Sequence, residues 1–108
     1  MKPEITLLTP RGRLDAAGAQ PLEKELAEHV AAGRTHLLVD MSQVTYVSSV
    51  GLRVFWTIME RARHNGGTLK LCALTPRVLD TFKLAGFDRI LPILATRADA
   101  EDSFNVGA

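Results

Sequence analysis

Two neighbouring hydroxyls, Ser48 and Ser49, stand where an apolar strand passes into the longest amphipathic helix, in the run Tyr46-Val47-Ser48-Ser49-Val50-Gly51-Leu52-Arg53. A helix start leaves backbone N–H groups unpaired and carries partial positive charge. A serine placed there can act as an N-cap, its oxygen accepting from an orphan donor. It can also accept a phosphoryl group, because that end of a helix tolerates added negative charge. One serine is enough for the cap, which leaves the second open to other work.

Other chemistries fit the residues poorly. A serine hydrolase sets its nucleophile in a glycine-flanked elbow; here Val47 stands two residues before Ser49, and no histidine has an evident carboxylate partner. His29, His36 and His64 are scattered, without the close pairing of metal ligands. No phosphate-cradling loop of the Walker type occurs, and Asn65-Gly66-Gly67 follows a helix, where it would not present N–H groups to a nucleotide. Asp40 ends an apolar run, as an aspartyl-phosphate acceptor would, but a cation site needs further carboxylates and only Asp15 is on offer. Asp40 is expected to cap or position the loop after it. The expectation is a protein that is not an enzyme and carries neither cofactor nor metal.

The totals agree. Thirteen basic and twelve acidic residues in 108 leave a net charge of +1, so no concentrated basic surface points to nucleic acid. The cluster Arg53, Arg61, Arg63 and His64 reads as the solvated face of a helix. Cys72 is alone, which rules out a disulfide framework, and it lies within Leu69-Lys70-Leu71-Cys72-Ala73, where it should pack as a small hydrophobe. The start, Met1-Lys2-Pro3-Glu4, shows no signal peptide, and no window approaches a membrane span. A cytoplasmic protein without membrane insertion is expected, folded as one domain over 1–108.

The elements that must position the serines follow from periodicity. Ile5 to Thr9 reads as a first strand; Pro10 and Gly12 argue for an edge position or a bend, beyond which Arg13-Leu14-Asp15 is read as continuing the strand, with Asp15 ending it. From about Ala17, Leu22, Leu26 and Val30 recur at helical spacing, with Pro21 assigned to the opening turn and Gly33 as the stop. His36 to Met41 is unbroken and apolar, the pattern of a parallel strand covered on both faces. Ser42 to Val47 reads as the passage to the serines. On a wheel of about 100° per residue, the helix from Ser49 to Asn65 gathers Val54, Ile58, Gly51, Ala62, Phe55, Met59, Leu52 and Trp56 into one arc. Ser49 then projects from the solvent side, and Trp56 sits at the rim of the arc, close in angle to Ser49. Thr68 to Ala73 is a further strand. Thr75-Pro76 opens a helix burying Val78, Leu79 and Phe82; Gly86 stops it and Phe87 folds back on it. Ile90 to Leu94 is a last short strand, Thr96 to Phe104 a closing helix, and the tail beyond it frays.

Alternating strands and helices imply an α/β fold with crossover connections. Loops after parallel strands gather at one edge, where binding surfaces form. Asp15 to Gly18, Met41 to Ser49 and Leu74 to Pro76 should meet there, small and polar and without an acid–base constellation. That is the composition of a docking face.

Asp40-Met41-Ser42-Gln43-Val44 followed by Tyr46-Val47-Ser48-Ser49-Val50-Gly51-Leu52-Arg53-Val54 resembles the signature of the STAS family, and in particular the bacterial anti-sigma-factor antagonists. Gly12-Arg13-Leu14-Asp15, Asn65-Gly66-Gly67, and Thr75-Pro76 leading to Phe82 and Gly86-Phe87 are similar to that family in order and spacing, over nearly the whole chain. The resemblance implies a mixed, mostly parallel sheet of four to five strands with about four helices. It also implies partner switching: the unphosphorylated protein binds an anti-sigma factor that is a serine kinase, phosphorylation releases it, and a PP2C-type serine phosphatase resets the cycle. By position the acceptor is Ser49. Many members have Asp where Ser48 stands, which leaves Ser48 as a rival, and Met1 to Pro3 gives little room for the extra leading strand some members carry. The partner surface so implied draws on Asp15, Asp40, Ser42, Ser48, Ser49, Val50, Gly51, Arg53, Trp56 and Thr75. An alternative keeps the fold without the switch, as a constitutive scaffold or regulatory subunit of a transporter or other assembly.

Overall fold

A computed structural model describes residues 4–104. The expectations for Met1 to Pro3 and for the tail beyond Phe104 lie outside the described residues. In chain order the elements are β1 (Thr6–Leu8), β2 (Gly12–Leu14), α1 (Ala16–Ala31), β3 (His36–Asp40), β4 (Val44–Val47), α2 (Ser49–His64), β5 (Thr68–Cys72), α3 (Pro76–Leu84), a 3₁₀ turn (Phe87–Arg89), β6 (Ile93–Leu94) and α4 (Arg97–Ser103).

A four-stranded sheet runs in the order β1-β3-β5-β6, and β2 and β4 pair as a separate two-stranded sheet. Each of these pairings is parallel. The central strands are covered on both faces, as their apolar runs require. Leu37, Val39, Leu69 and Leu71 join the main core with Leu22, Leu26 and Val30 of α1 and Phe55, Ile58 and Met59 of α2. On the other side, Leu38 and Cys72 pack with Ala100 and Phe104 under α4. Adjacent residues of β3 thus serve opposite layers, as the two-residue period of a strand dictates. Each fully buried Leu or Phe contributes about 1.5–3 kcal/mol relative to exposure.

Five local readings are corrected. Asp15, expected to end a strand, is the N-cap of α1, its Oδ1 accepting from the Gly18 N–H at 2.9 Å. With α1 starting at Ala16, Pro21 is its sixth residue, inside the helix and not in its opening turn. The carbonyl it leaves without a donor is that of Ala17, on an exposed residue. Residues 12–14 do not prolong β1; they form β2, which pairs with β4. The passage from Ser42 to Val47 is itself strand from Val44 on, with Val44 and Val47 buried and Thr45 and Tyr46 exposed. The last strand, Ile93–Leu94, is shorter than expected, because the Ile90 and Leu91 N–H groups both turn back to the Phe87 carbonyl oxygen, at 3.2 and 2.9 Å. Phe87 does fold onto α3, its ring edge-on to Phe82 at 6.2 Å.

Candidate docking face at the start of α2

The two serines have separate surroundings. Ser48 is the N-cap of α2: its Oγ accepts from the Gly51 N–H at 3.3 Å. The same hydroxyl donates to the Leu14 carbonyl oxygen at 3.3 Å, and the Ser48 N–H donates to that oxygen at 3.1 Å. Ser48 is half-buried and committed on both sides. Ser49 is the first residue of α2, is exposed, and makes no side-chain hydrogen bond among the described residues.

The exposed strip continues along the helix. Val50 is 37% exposed, Arg53 is exposed, and Trp56 is 41% exposed, so the large ring at the rim of the apolar arc faces outward and does not close the core. Gly51 is buried. A Cβ there would stand 2.5 Å from the Leu14 carbonyl oxygen and 2.9 Å from Val47 Cγ1, so only glycine lets α2 approach β2 this closely.

The β2–β4 pairing brings Asp15 beside the serines, because Leu14 is in register with Val47. Asp15 holds its own helix end, and its Oδ2 lies 3.4 Å from Arg13 Nε. The Gly18 N–H keeps its carboxyl below the usual carboxylate range, with the Arg13 guanidinium assisting against a smaller opposing effect of desolvation. Arg13 stacks over the Tyr46 ring at 4.2 Å. These two line an open cleft of about 410 Å³ with Thr45, Arg77, Val78 and Thr81. Arg13 and Tyr46 escaped the sequence reading, although a parallel register with outward side chains at both positions would have placed them together.

Asp40 belongs to a different cluster. It is 7% exposed; Oδ1 accepts from the Ser42 N–H at 2.9 Å, and Oδ2 from Arg97 Nε and Nη2 at 3.2 and 3.0 Å. Burial alone would raise its carboxyl, but the hydrogen bonds from Ser42 and the Arg97 guanidinium outweigh burial and hold it below the usual range. Asp40 thus positions the loop after β3, as expected of it, and also anchors α4. Ser42 is exposed on that loop. Thr75 is the N-cap of α3, its Oγ1 accepting from the Val78 N–H at 3.4 Å. Of the ten residues assigned to the partner surface, Asp15, Ser48 and Thr75 are thus helix caps and Gly51 is a packing residue, while Ser49, Val50, Arg53 and Trp56 share one exposed strip.

The histidines are engaged elsewhere or solvated. His29 Nδ1 accepts from Arg34 Nε at 2.8 Å, His36 packs edge-on against Phe104, and His64 is exposed. Among the described residues, no group of three or more His, Cys, Asp or Glu side chains is arranged to hold a metal ion, and no helix is long and apolar enough to cross a membrane.

Three likenesses bear on this geometry. BtrV of Bordetella bronchiseptica, assigned as an anti-sigma factor antagonist, is 36% identical over 87% of this chain and 81% of its own. The anti-sigma-B factor antagonist of Bacillus subtilis is 31% identical over 78% of this chain and 76% of its own. A crystal structure from Thermotoga maritima superposes with a TM-score of 0.87 over 93% of this chain and 86% of its own, at 23% identity, a likeness of fold. Residues 1–100 match the STAS domain, and with that match over nearly its whole length the chain belongs to the STAS domain family.

Proposed function

We propose that the protein is an anti-sigma factor antagonist, switched by phosphorylation of Ser49. Its partner in this reading is an anti-sigma factor with serine kinase activity, bound when Ser49 is unmodified and released when it is phosphorylated. A PP2C-type serine phosphatase restores the binding form. The names borne by the Bordetella and Bacillus relatives support the antagonist role. The observation that carries the switch is the division of labour between the serines: Ser48 is held by the Gly51 N–H and the Leu14 carbonyl, while Ser49 stands exposed at the helix start.

The physics is that of burying a new charge. A phosphoserine brings about −1.5 to −2 charges at neutral pH, which a helix N-terminus in water accommodates. Against a partner surface shaped for a hydroxyl, the same group must shed water without gaining hydrogen bonds. That costs about 3 kcal/mol or more, roughly a hundredfold in Kd. Val50, Arg53 and Trp56 flank the contact and supply its apolar and cationic area, an exposed Trp and Arg being the residues that most often anchor interfaces. The test is intact-mass spectrometry with peptide mapping, after incubation with ATP and the kinase-like anti-sigma factors of the same cell. One phosphoryl group on Ser49, retained in Ser48→Ala and lost in Ser49→Ala, is expected. Modification of Ser48, or none, would contradict the reading.

A further inference from the structure

Ser49 and Arg53 lie four residues apart on the exposed side of α2. Residues at that spacing stand one above the other on a helix face. Helical side chains lean toward the N-terminus, so a long residue covers the turn before its own Cα. The natural reach of the Arg53 guanidinium is therefore the space around Ser49.

Among the described residues, no acidic side chain is paired with that cation. The neighbours of Arg53 three and four places away are Ser49, Val50, Trp56 and Thr57, and no acidic residue lies in the first turn of α2. Arg53 takes no part in the ion pairs formed among the described residues, which are Arg13–Asp15 and Arg97–Asp40. Glu60 is about two turns further along the helix. Of the groups on the adjoining β2–α1 junction, Asp15 is occupied by the Gly18 N–H and Arg13, and α1 carries no acid in its first turn.

Resting on the phosphorylation reading above, we infer that Arg53 captures the phosphate of phosphorylated Ser49 within the same helix. Two changes then follow from one modification. The docking strip gains a dianion, and it loses its free arginine, which turns from the partner toward the modified side chain. Arg53 is a switching residue: it faces a partner when Ser49 is a hydroxyl and closes on the phosphate when it is not. The pairing also shields the phosphoserine in the released protein, so the modified form is stable alone.

The full chain with phosphoserine installed genetically at position 49 tests this without any kinase. The phosphate is titrated by phosphorus NMR with Arg53 present, and in Arg53→Met and Arg53→Lys. A cation beside the phosphate favours the dianion, so its second titration midpoint should lie about 0.2–0.4 unit lower with Arg53 than with Met at low salt. Arg53→Lys should fall between them, and the difference should shrink in about 1 M salt. Equal midpoints with Arg53 and Met would overturn the inference. Because the phosphate is installed directly, that failure is separate from failure of the switch itself, which would appear as an unmodified Ser49 in the cell or an unchanged partner affinity.

Discussion

Ser48 and Leu14 are joined twice: the Ser48 N–H and hydroxyl both donate to the Leu14 carbonyl oxygen, at 3.1 and 3.3 Å. This one acceptor ties the end of β4 to the end of β2. It sets the Asp15 cap beside the serine pair and fixes which of the two hydroxyls is left facing water. The division of roles between Ser48 and Ser49 is a consequence of β2–β4 pairing, and it makes the two positions separable by experiment.

Ser48→Ala removes a helix cap and should destabilise the fold by about 1 kcal/mol in urea unfolding. Ser49→Ala, at an exposed position, should stay within about 0.5 kcal/mol of the parent. Equal losses at both positions would mean that the capping role is shared.

Gly51→Ala places a methyl 2.5 Å from the Leu14 carbonyl oxygen, a backbone atom that cannot move aside without disturbing the β2–β4 pairing. Overpacking of this kind costs about 1–3 kcal/mol. Gly18→Ala should cost at least as much, since its Cβ would fall 1.9 Å from the Arg13 carbonyl oxygen. Equilibrium unfolding midpoints decide both, and a neutral Gly51→Ala would mean that α2 can lift from β2 freely.

Acid stability should report on Asp40. Its folded carboxyl is held below the unfolded value of 3.8, so the stability it confers is present above that value and is lost as pH falls through the lower, folded one. Asp40→Asn should flatten the loss of stability in that acidic window. Arg97→Met removes the guanidinium's share of what holds the carboxyl down and leaves the Ser42 hydrogen bonds to oppose burial, so protonation and the loss of stability should begin at higher pH than in the parent. Unfolding midpoints taken across the acidic range would contradict this account if Arg97→Met matched the parent throughout.

Cys72 is fully buried under α4, and desolvation, the first cause, pushes its thiol up to about 11, with the Asp40 carboxylate adding to the rise. Thiolate is the reactive form, so alkylation of the native protein at neutral pH should be slow and should follow unfolding. Rapid labelling under native conditions would indicate that α4 opens readily.

Where the amino-acid pattern is strong, it already dictates the structure. The apolar arc of α2, the unbroken run of β3 and the Thr75-Pro76 helix start need only periodicity and capping chemistry. β4 was hidden because Val44 and Val47 face inward with two outward residues between them, a spacing that departs from strict alternation. Its partner strand carries a register shift between Gly12 and Arg13, which blurs the pattern further. The Asp40–Arg97 pair joins residues 57 apart, and no local signal announces it. The surface aspect of Ser49 followed from the helical wheel, whereas its freedom from capping depends on Leu14, a contact made only once β2 lies beside β4.

The most direct test measures the affinity of the proposed anti-sigma partner for four forms of this protein: unmodified, Ser49→Ala, Ser49→Asp, and phosphoserine at 49. Ser49→Ala should bind within a few-fold of the unmodified form, Ser49→Asp about tenfold more weakly, and the phosphoserine form about a hundredfold more weakly. Equal affinities across the four would contradict the account.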